Sequence, residues 1–417
     1  MAINIRSIDD FQYKGKTVLL RVDINSPVDP VSGKITNDNR IDKSIVTIKD
    51  LSEKGARLVL IAHQGDTLDY HNLIGLEEHA RKLTEKIGKK VGFIDDVAGP
   101  AAREKIRRLA DGEILLLDNL RYLTEEVSTF ENDVKLTAEA MTKTYLVRSL
   151  APLMDYYVND AFAAAHRNSP SMVAFEELLP SAGGRLLINE LKALSAIVEG
   201  PARPCVFVLG GLKISDAFGM MKPVLSKEIA DIILTTGVTG LVMLMAKGIF
   251  PGEKTEQFLK DRSLDKFVSE AEELLSRYPH KFRVPLDLAF EQNAKRVEVP
   301  VEGLPVKEMI VDIGEKTIRD YESVLKKAGT IFVNGPAGIY EKEISEKGTR
   351  LLWTAVAEAP ALSVVGGGDT VASASRFVDT SKLGFVCTGG GALIRYLAGK
   401  KLPLIEAMEK AAAREKA

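Results

Sequence analysis

The chain is short of cysteine, tryptophan and histidine, and it carries almost no net charge. Only two cysteines occur among 417 residues, Cys205 and Cys387, both in apolar runs. That excludes a disulfide framework and reads as two small buried core side chains. Of the five histidines, His63, His71 and His79 recur every eight residues, a spacing that matches no zinc-ligand pattern. A net charge of −2 excludes a global field for nucleic acid or an anionic membrane. Any anion must therefore be held by local cations. No run of apolar residues is long enough to span a bilayer; the stretch 240–250 is too short and is broken by Lys247. Met1 to Asp10 has no basic stretch followed by an apolar one, so no signal peptide is expected and a cytoplasmic protein is. There is no G-x-x-x-x-G-K-[ST] loop. The cluster at Gly366 has Val371 where a dinucleotide fingerprint needs its last glycine, which argues against a dehydrogenase. Internal repeats and low-complexity segments are also missing.

What the chain does have is a near-continuous alternation of short apolar runs and amphipathic segments. Residues 17–22, 58–62, 91–94, 114–117 and 156–158 read as buried strands of the first half. Residues 205–209, 232–234, 309–313, 330–333, 361–365 and 384–387 do so in the second. Strands this apolar, with helices between them, imply parallel sheets covered on both faces. One helix is expected after Asp38, with Ile41, Ile45, Ile48 and Leu51 on its inner face and a stop at Gly55. The expected fold is α/β: two Rossmann-like parallel-sheet domains, each a three-layer αβα stack, joined by a hinge helix with a cleft between them. The boundary is placed at Ser181-Ala182-Gly183-Gly184, giving domains 1–183 and 184–395. The tail 396–417 is expected to return to the first domain as a surface helix.

Polar residues follow four strands of the first half. Asp23 and Asn25 come after 17–22, His63 after 58–62, Arg121 after 114–117, and Asn159, Asp160 and His166-Arg167 after 156–158. Ligands of parallel sheets lie beyond the carboxyl ends of strands. A single such arginine is usually an ion-paired surface residue. The set, with Arg40, points to a small polyanion held by guanidinium forks and an imidazole.

The second half carries glycines where the first carries cations. Gly366-Gly367-Gly368-Asp369-Thr370 follows an apolar strand and opens a helix, and Thr388-Gly389-Gly390-Gly391 repeats the arrangement. Gly210-Gly211-Leu212-Lys213 and Asn334-Gly335-Pro336-Ala337-Gly338, with Glu341 beyond, are two more turns after strands. Any one of these is what a tight strand-to-helix turn needs anyway. Four in one half, one carrying an aspartate suited to magnesium, point to nucleotide phosphates.

These residues resemble the phosphoglycerate kinase family. The likeness rests on Arg21-Val22-Asp23-Ile24-Asn25-Ser26-Pro27, Ile35 to Ile41, Ala62-His63-Gln64-Gly65, Asp118 to Tyr122, Tyr157 to Phe162, Ala165-His166-Arg167, Leu209 to Lys213, Val333 to Gly338 and the two glycine clusters. The motifs run along nearly the whole chain in the family's order. The resemblance implies magnesium-dependent transfer of a phosphoryl group between 1,3-bisphosphoglycerate and ADP, giving 3-phosphoglycerate and ATP. It implies that Asp23, Asn25, Arg40, His63, Arg121 and Arg167 hold the glycerate. It implies that Gly210, Lys213, Gly314, Asn334, Pro336, Glu341, Gly366, Gly367, Gly368, Asp369 and Thr370 hold the nucleotide, with Asp369 on magnesium. Arg40, Lys213, Gly367 and Gly390 would serve the transfer itself. No nucleic-acid or membrane partner is implied, and the assembly is expected to be a monomer or small homo-oligomer.

Three positions depart from the family's pattern. Gly65-Asp66-Thr67 stands where Gly-Arg-Pro is common, so one arginine is replaced by an acid. Ala217 stands where many members have a lysine, and the run near the adenine reads Thr235-Thr236-Gly237-Val238. The second departure fits an archaeal-like member. The first keeps open a kinase of the same fold acting on another carboxylic acid, and the second a catalytically silent nucleotide-binding homologue.

Overall fold

The computed structural model describes residues 4–66 and 70–414. Thr67, the ends of the Met1 to Asp10 stretch and of the tail therefore lie outside it. The chain divides into two compact units, Met1–Lys192 with Lys401–Ala417, and Ala193–Lys400.

The first unit is built on β1 (Thr17–Arg21), β2 (Arg57–Ile61), β3 (Val91–Ile94), β4 (Ile114–Leu117), β5 (Tyr156–Asn159) and β6 (Ser181–Gly183). All pair in parallel, in the order β3-β4-β2-β1-β5-β6. Every residue of β1 and β4 is buried, which is why these segments show no polar alternation. The connection from β1 runs to β2 on one side while β5 lies on the other, so the strand order reverses around β1. Ser181–Gly183, where the sequence places the boundary, is the edge strand beside β5, and small residues suit its buried position. Helix Asn39–Glu53 buries Ile41, Ile48 and Leu51, while Ile45 is only partly covered. Asp38 stands at its N-cap position without a capping bond; its carboxylate pairs with Lys82 at 2.9 Å and Lys86 at 3.3 Å.

The second unit repeats the architecture. Its strands are β7 (Cys205–Leu209), β8 (Ile232–Thr235), β9 (Phe282–Arg283), β10 (Asp287–Gln292), β11 (Lys295–Pro300), β12 (Ile310–Ile313), β13 (Thr330–Asn334), β14 (Leu362–Val365) and β15 (Phe385–Val386). Six of them form a parallel sheet in the order β15-β14-β13-β7-β8-β9. The expected strand 309–313 is not part of it. As β12 it joins an antiparallel sheet of order β11-β10-β12. Asn293 and Ala294, at φ 52° and 58°, turn the β10–β11 hairpin, a turn whose twist matches antiparallel strands. The alanine there hides the usual Asn-Gly signal, so the hairpin was not foreseen. Cys205 and Cys387 are both buried and in no disulfide, and burial pushes Cys205 up to about 12.

The tail is more than a surface helix. Helix Pro403–Arg414 buries Leu404, Ile405, Ala407, Met408, Ala411 and Ala412 and packs on β6 and helix Pro170–Val173 of the first unit. Arg414 adds an ion pair to Glu177 at 3.0 Å. Residues 396–400 stay with the second unit. Leu404 is fully buried, so Leu404→Ala is expected to cost about 2–5 kcal/mol, read by chemical denaturation of the whole chain. A loss under about 1 kcal/mol would mean that the helix does not support the first unit.

Candidate functional site

In the first unit, the carboxyl ends of β1, β2, β4 and β5 deliver the predicted cations to one place. Arg21 ends β1 and is 2% exposed. Its guanidinium donates to Val22 O and to His63 Nδ1, both at 2.8 Å. A guanidinium has no acceptor, so Nδ1 carries the lone pair and the His63 proton sits on Nε2. Burial holds His63 well below the usual imidazole range. The positive charges of Arg21, Arg121, Arg40 and Arg167 add to that effect. Four guanidiniums thus surround one neutral imidazole that has a single N–H to donate.

Each remaining arginine rests on a carboxylate of the chain. Arg40 Nη1 lies 2.8 Å and 3.0 Å from the two oxygens of Asp23. Arg167 Nε donates to Glu131 at 2.5 Å and its Nη2 to Ser128 Oγ at 2.9 Å. Arg121 pairs with Asp66, whose same oxygen accepts from Ser128 Oγ at 2.5 Å. Nearby, the buried Glu126 accepts the Ser171 backbone N–H and hydroxyl, each at 2.6 Å. Burial raises its carboxyl, and Arg21 and Arg121 oppose the rise.

The loops are tied by buried amides. Asn119 accepts the N–H of Gln64 and of Arg121, each at 3.0 Å, and donates to Gln64 O at 2.8 Å. That joins the loop after β2 to the loop after β4. Asn25 Oδ1 accepts the Gly65 N–H at 3.1 Å, joining the loop after β1 to the same place. Two residues expected near the rim have other duties. Asn159 binds the Tyr157 hydroxyl and the Ala161 N–H, and Asp160 accepts the Leu187 N–H in the first turn of helix Arg185–Val198. Ser128, Glu126 and Glu131 went unread in the sequence. Their segment, 124–134, carries no glycine or strand signal and is placed only by the fold.

In the second unit, the loops after β7, β8, β13, β14 and β15 line a cavity of about 540 Å³. It sits where the strand order reverses between β7 and β13. Gly210, Lys213, Asn334, Pro336, Glu341, Gly367, Gly368, Asp369, Thr370 and Gly390 all line it. Gly314 and Gly366 do not. Gly314 precedes helix Glu315–Leu325, and a Cβ there would lie 2.3 Å from the Asp287 carboxyl carbon; at Gly366 it would lie 2.3 Å from Leu393. At both positions the absent side chain leaves room for a packed neighbour.

The loops after β7 and β13 need glycine for mutual approach. A Cβ on Gly335, whose φ is +91°, would sit 2.2 Å from Gly210 O. Thr370 Oγ1 accepts the Gly335 N–H at 2.8 Å, and Asn334 Nδ2 donates to Gly366 O at 2.9 Å. Both side chains therefore fasten loops to one another. Gly367, at φ +100°, turns the chain into helix Gly368–Phe377. Helices Ile214–Ser226 and Gly390–Leu397 open from the neighbouring turns, and first-turn amides have no partner within their own helix. The turn at Asn334-Gly338 opens no helix directly, unlike the other three. Lys213 and Asp369, both largely exposed, meet at 3.4 Å. Leu241, Leu288, Ile310 and Ile313 give the cavity an apolar wall. Asp216 also lines it, with its carboxyl raised by burial. Ala217 is fully buried and off the cavity surface, so Lys213 is the cation this helix start contributes.

A family model described as phosphoglycerate kinase matches residues 8–400. The chain belongs to the phosphoglycerate kinase family. It is 42% identical to the phosphoglycerate kinase of Methanothermobacter thermautotrophicus over 410 residues, 98% of each chain. It is 43% identical to that of Methanococcus maripaludis over 406 residues, 97% of this chain and 98% of the other. The crystal structure of phosphoglycerate kinase from Pyrococcus horikoshii OT3 matches with a TM-score of 0.90 at 38% identity, covering 99% of this chain and all of that one. The structure from Coxiella burnetii matches at 0.80 and 30% identity, covering 98% and 100%. The two-sheet architecture is the one these structures share.

The His63 arrangement has a direct consequence in this phosphoglycerate kinase family member. A histidine with a folded pKa below its unfolded value contributes stability that is full above about pH 6.5 and declines as the pH falls below it. Nitrogen-15 NMR should show His63 as the neutral Nε2–H tautomer from pH 8 down to 5.5. In Arg21→Met the other tautomer or the imidazolium should appear. A wild-type imidazole that titrates near 6.5 would refute the assignment.

Proposed function

We propose that the protein is a phosphoglycerate kinase, catalysing reversible phosphoryl transfer between 1,3-bisphosphoglycerate and ADP. The observation that carries this reading, within a member of this family, is the gathering of Arg21, Arg40, Arg121 and Arg167 about a neutral His63. That cluster suits a small anion with more than one charge. The glycine-turned cavity, with Lys213 and Asp369 at its mouth, suits a nucleotide.

In the ATP-consuming direction the nucleophile is the substrate carboxylate, ionised at pH 7 because such groups titrate near 4. Its oxygen attacks the terminal phosphorus, a P–O bond forms, and the bond to the ADP oxygen breaks with its electron pair. No proton is transferred, so no general base is needed. What the reaction needs is positive charge and N–H groups on the transferring group's oxygens. We assign Arg40 as the leading cation, since at 35% side-chain exposure it is the most open of the three arginines paired to acids. Asp23 orients it. Asn25, His63, Arg121 and Arg167 hold the glycerate and its phosphate, His63 as an N–H donor. In the second unit, the amides at Gly367, Gly368 and Gly390 and the Lys213 ammonium face the nucleotide phosphates, Glu341 the ribose, and the apolar wall the base. A magnesium ion would be held by the Asp369 carboxylate, a hard oxygen donor free of buried bonds, and supplies charge neutralisation on the phosphates. A cytoplasmic location suits these soluble substrates, and no helix among the described residues is long and apolar enough to cross a membrane.

A coupled assay with ATP, magnesium and 3-phosphoglycerate tests the reaction; turnover with another acid only, or none, would overturn it. Arg40→Ala is expected to lower kcat at least about a hundredfold with the fold intact. An unchanged kcat would remove Arg40 from the transfer. Asp369→Ala should raise the magnesium concentration for half-maximal rate by about tenfold or more, the scale for losing one ligand contact. An unaltered magnesium profile would place the ion elsewhere.

A further inference from the structure

The three carboxylates that hold the cluster's arginines are not equivalent. Asp23 is 2% exposed and also accepts the Asn25 N–H at 3.2 Å. Glu131 also accepts the Asn168 N–H at 2.7 Å. Both are built into the backbone of their loops. Asp66 engages side chains of the cluster itself. One oxygen takes Arg121 Nη1 and, at 2.5 Å, the Ser128 hydroxyl. That hydroxyl, having donated to Asp66, accepts from Arg167 Nη2 at 2.9 Å. A single oxygen anion is therefore coupled to two of the arginines, directly and through one hydroxyl. Asp66 lies three residues beyond His63, in the same loop after β2. Its side chain keeps 25% exposure against 7% for its Arg121 partner.

An oxygen anion on a guanidinium and a hydroxyl is also how a phosphate oxygen would sit there. We propose that Asp66 is a specificity-determining residue, a resident competitor for the substrate's phosphate. This rests on the reading that the cluster holds the phosphate end of phosphoglycerate. To bind, the incoming phosphate takes Arg121 from Asp66. The released carboxylate stays tethered close by and repels the newcomer. A phosphate carrying nearly two charges at pH 7 suffers more from that repulsion than a ligand carrying a carboxylate alone. Asp66 therefore weakens binding of the phosphorylated acid and narrows its advantage over the unphosphorylated one. It also neutralises part of a crowd of guanidiniums when no substrate is bound. The arrangement favours release over retention, which suits an enzyme working at high substrate concentration.

Asp66→Asn keeps the shape and the acceptor for Ser128 and removes the charge. Calorimetry without nucleotide would compare binding of 3-phosphoglycerate and of glycerate to both forms. Steady-state kinetics would give KM for each substrate. The expected result is a roughly tenfold fall in Kd and KM for 3-phosphoglycerate, the scale of one partly buried charge pair. The fall for glycerate should be clearly smaller, and KM for ATP should not change. Unchanged or weaker binding of 3-phosphoglycerate would overturn the proposal, and so would equal tightening for both ligands. Asp66→Ser, also neutral and small, decides the matter by the same measurements if the asparagine form is misfolded by circular dichroism. Wild-type protein that binds 3-phosphoglycerate without turning it over would sink the kinase reading alone, since the binding comparison still decides the role of Asp66. No binding of 3-phosphoglycerate by any form would overturn both.

Discussion

Mutual repulsion of guanidiniums is the constraint on which the first unit's site is organised. Arg21, Arg40, Arg121 and Arg167 all act on His63. Like charges this close persist only if each is offset. Asp23, Asp66 and Glu131 provide three partners, and the buried Glu126 feels the charges of Arg21 and Arg121. Burial then decides which groups keep their charge. Arg21 keeps its proton because guanidinium groups titrate far above neutrality. His63 gives its proton up, because an imidazole titrates within reach of the penalty. The result is a cation cluster whose centre is a neutral donor of fixed tautomer.

The second unit meets a different demand with the same kind of sheet. Here the scarce resource is space rather than charge. The loops after β7 and β13 approach so closely that a methyl group at Gly335 would strike the Gly210 carbonyl. Thr370 and Asn334 lock that approach by hydrogen bonds, and three helices open from the surrounding turns. Backbone amides line the cavity as a result, and few charged side chains are needed. One unit offers guanidiniums and the other N–H groups, which fits a reaction whose one substrate is a small acid and whose other is a nucleotide.

Much of this was legible before any coordinates. The strands 17–21, 114–117 and 205–209 stood out because a strand buried on both faces has no polar alternation. Arg40, His63, Arg121 and Arg167 stood out because they are three arginines and a histidine following such strands or their loops. Other features carried no local signal. The β10–β11 hairpin turns on Asn293-Ala294 rather than on Asn-Gly, so its antiparallel sheet was hidden. Gly314 and Gly366 looked like the other glycines, but their missing side chains make room for Asp287 and Leu393. Ala217 read as a lost cation and turned out to be a buried small residue.

The amino-acid order by itself determined the two parallel sheets, the family and the kinds of group each half would offer, because periodicity, glycine turns and motif order are local properties. Only the tertiary structure decided who partners whom. Asp66 read as an acid in the place of an arginine; folding turned it onto Arg121 and, through Ser128, toward Arg167. Asp160 read as a rim residue and became the acceptor at a helix start. Both outcomes depend on residues 27 to 62 positions away. A charge's partner is set by distance in space, and no local pattern encodes that distance.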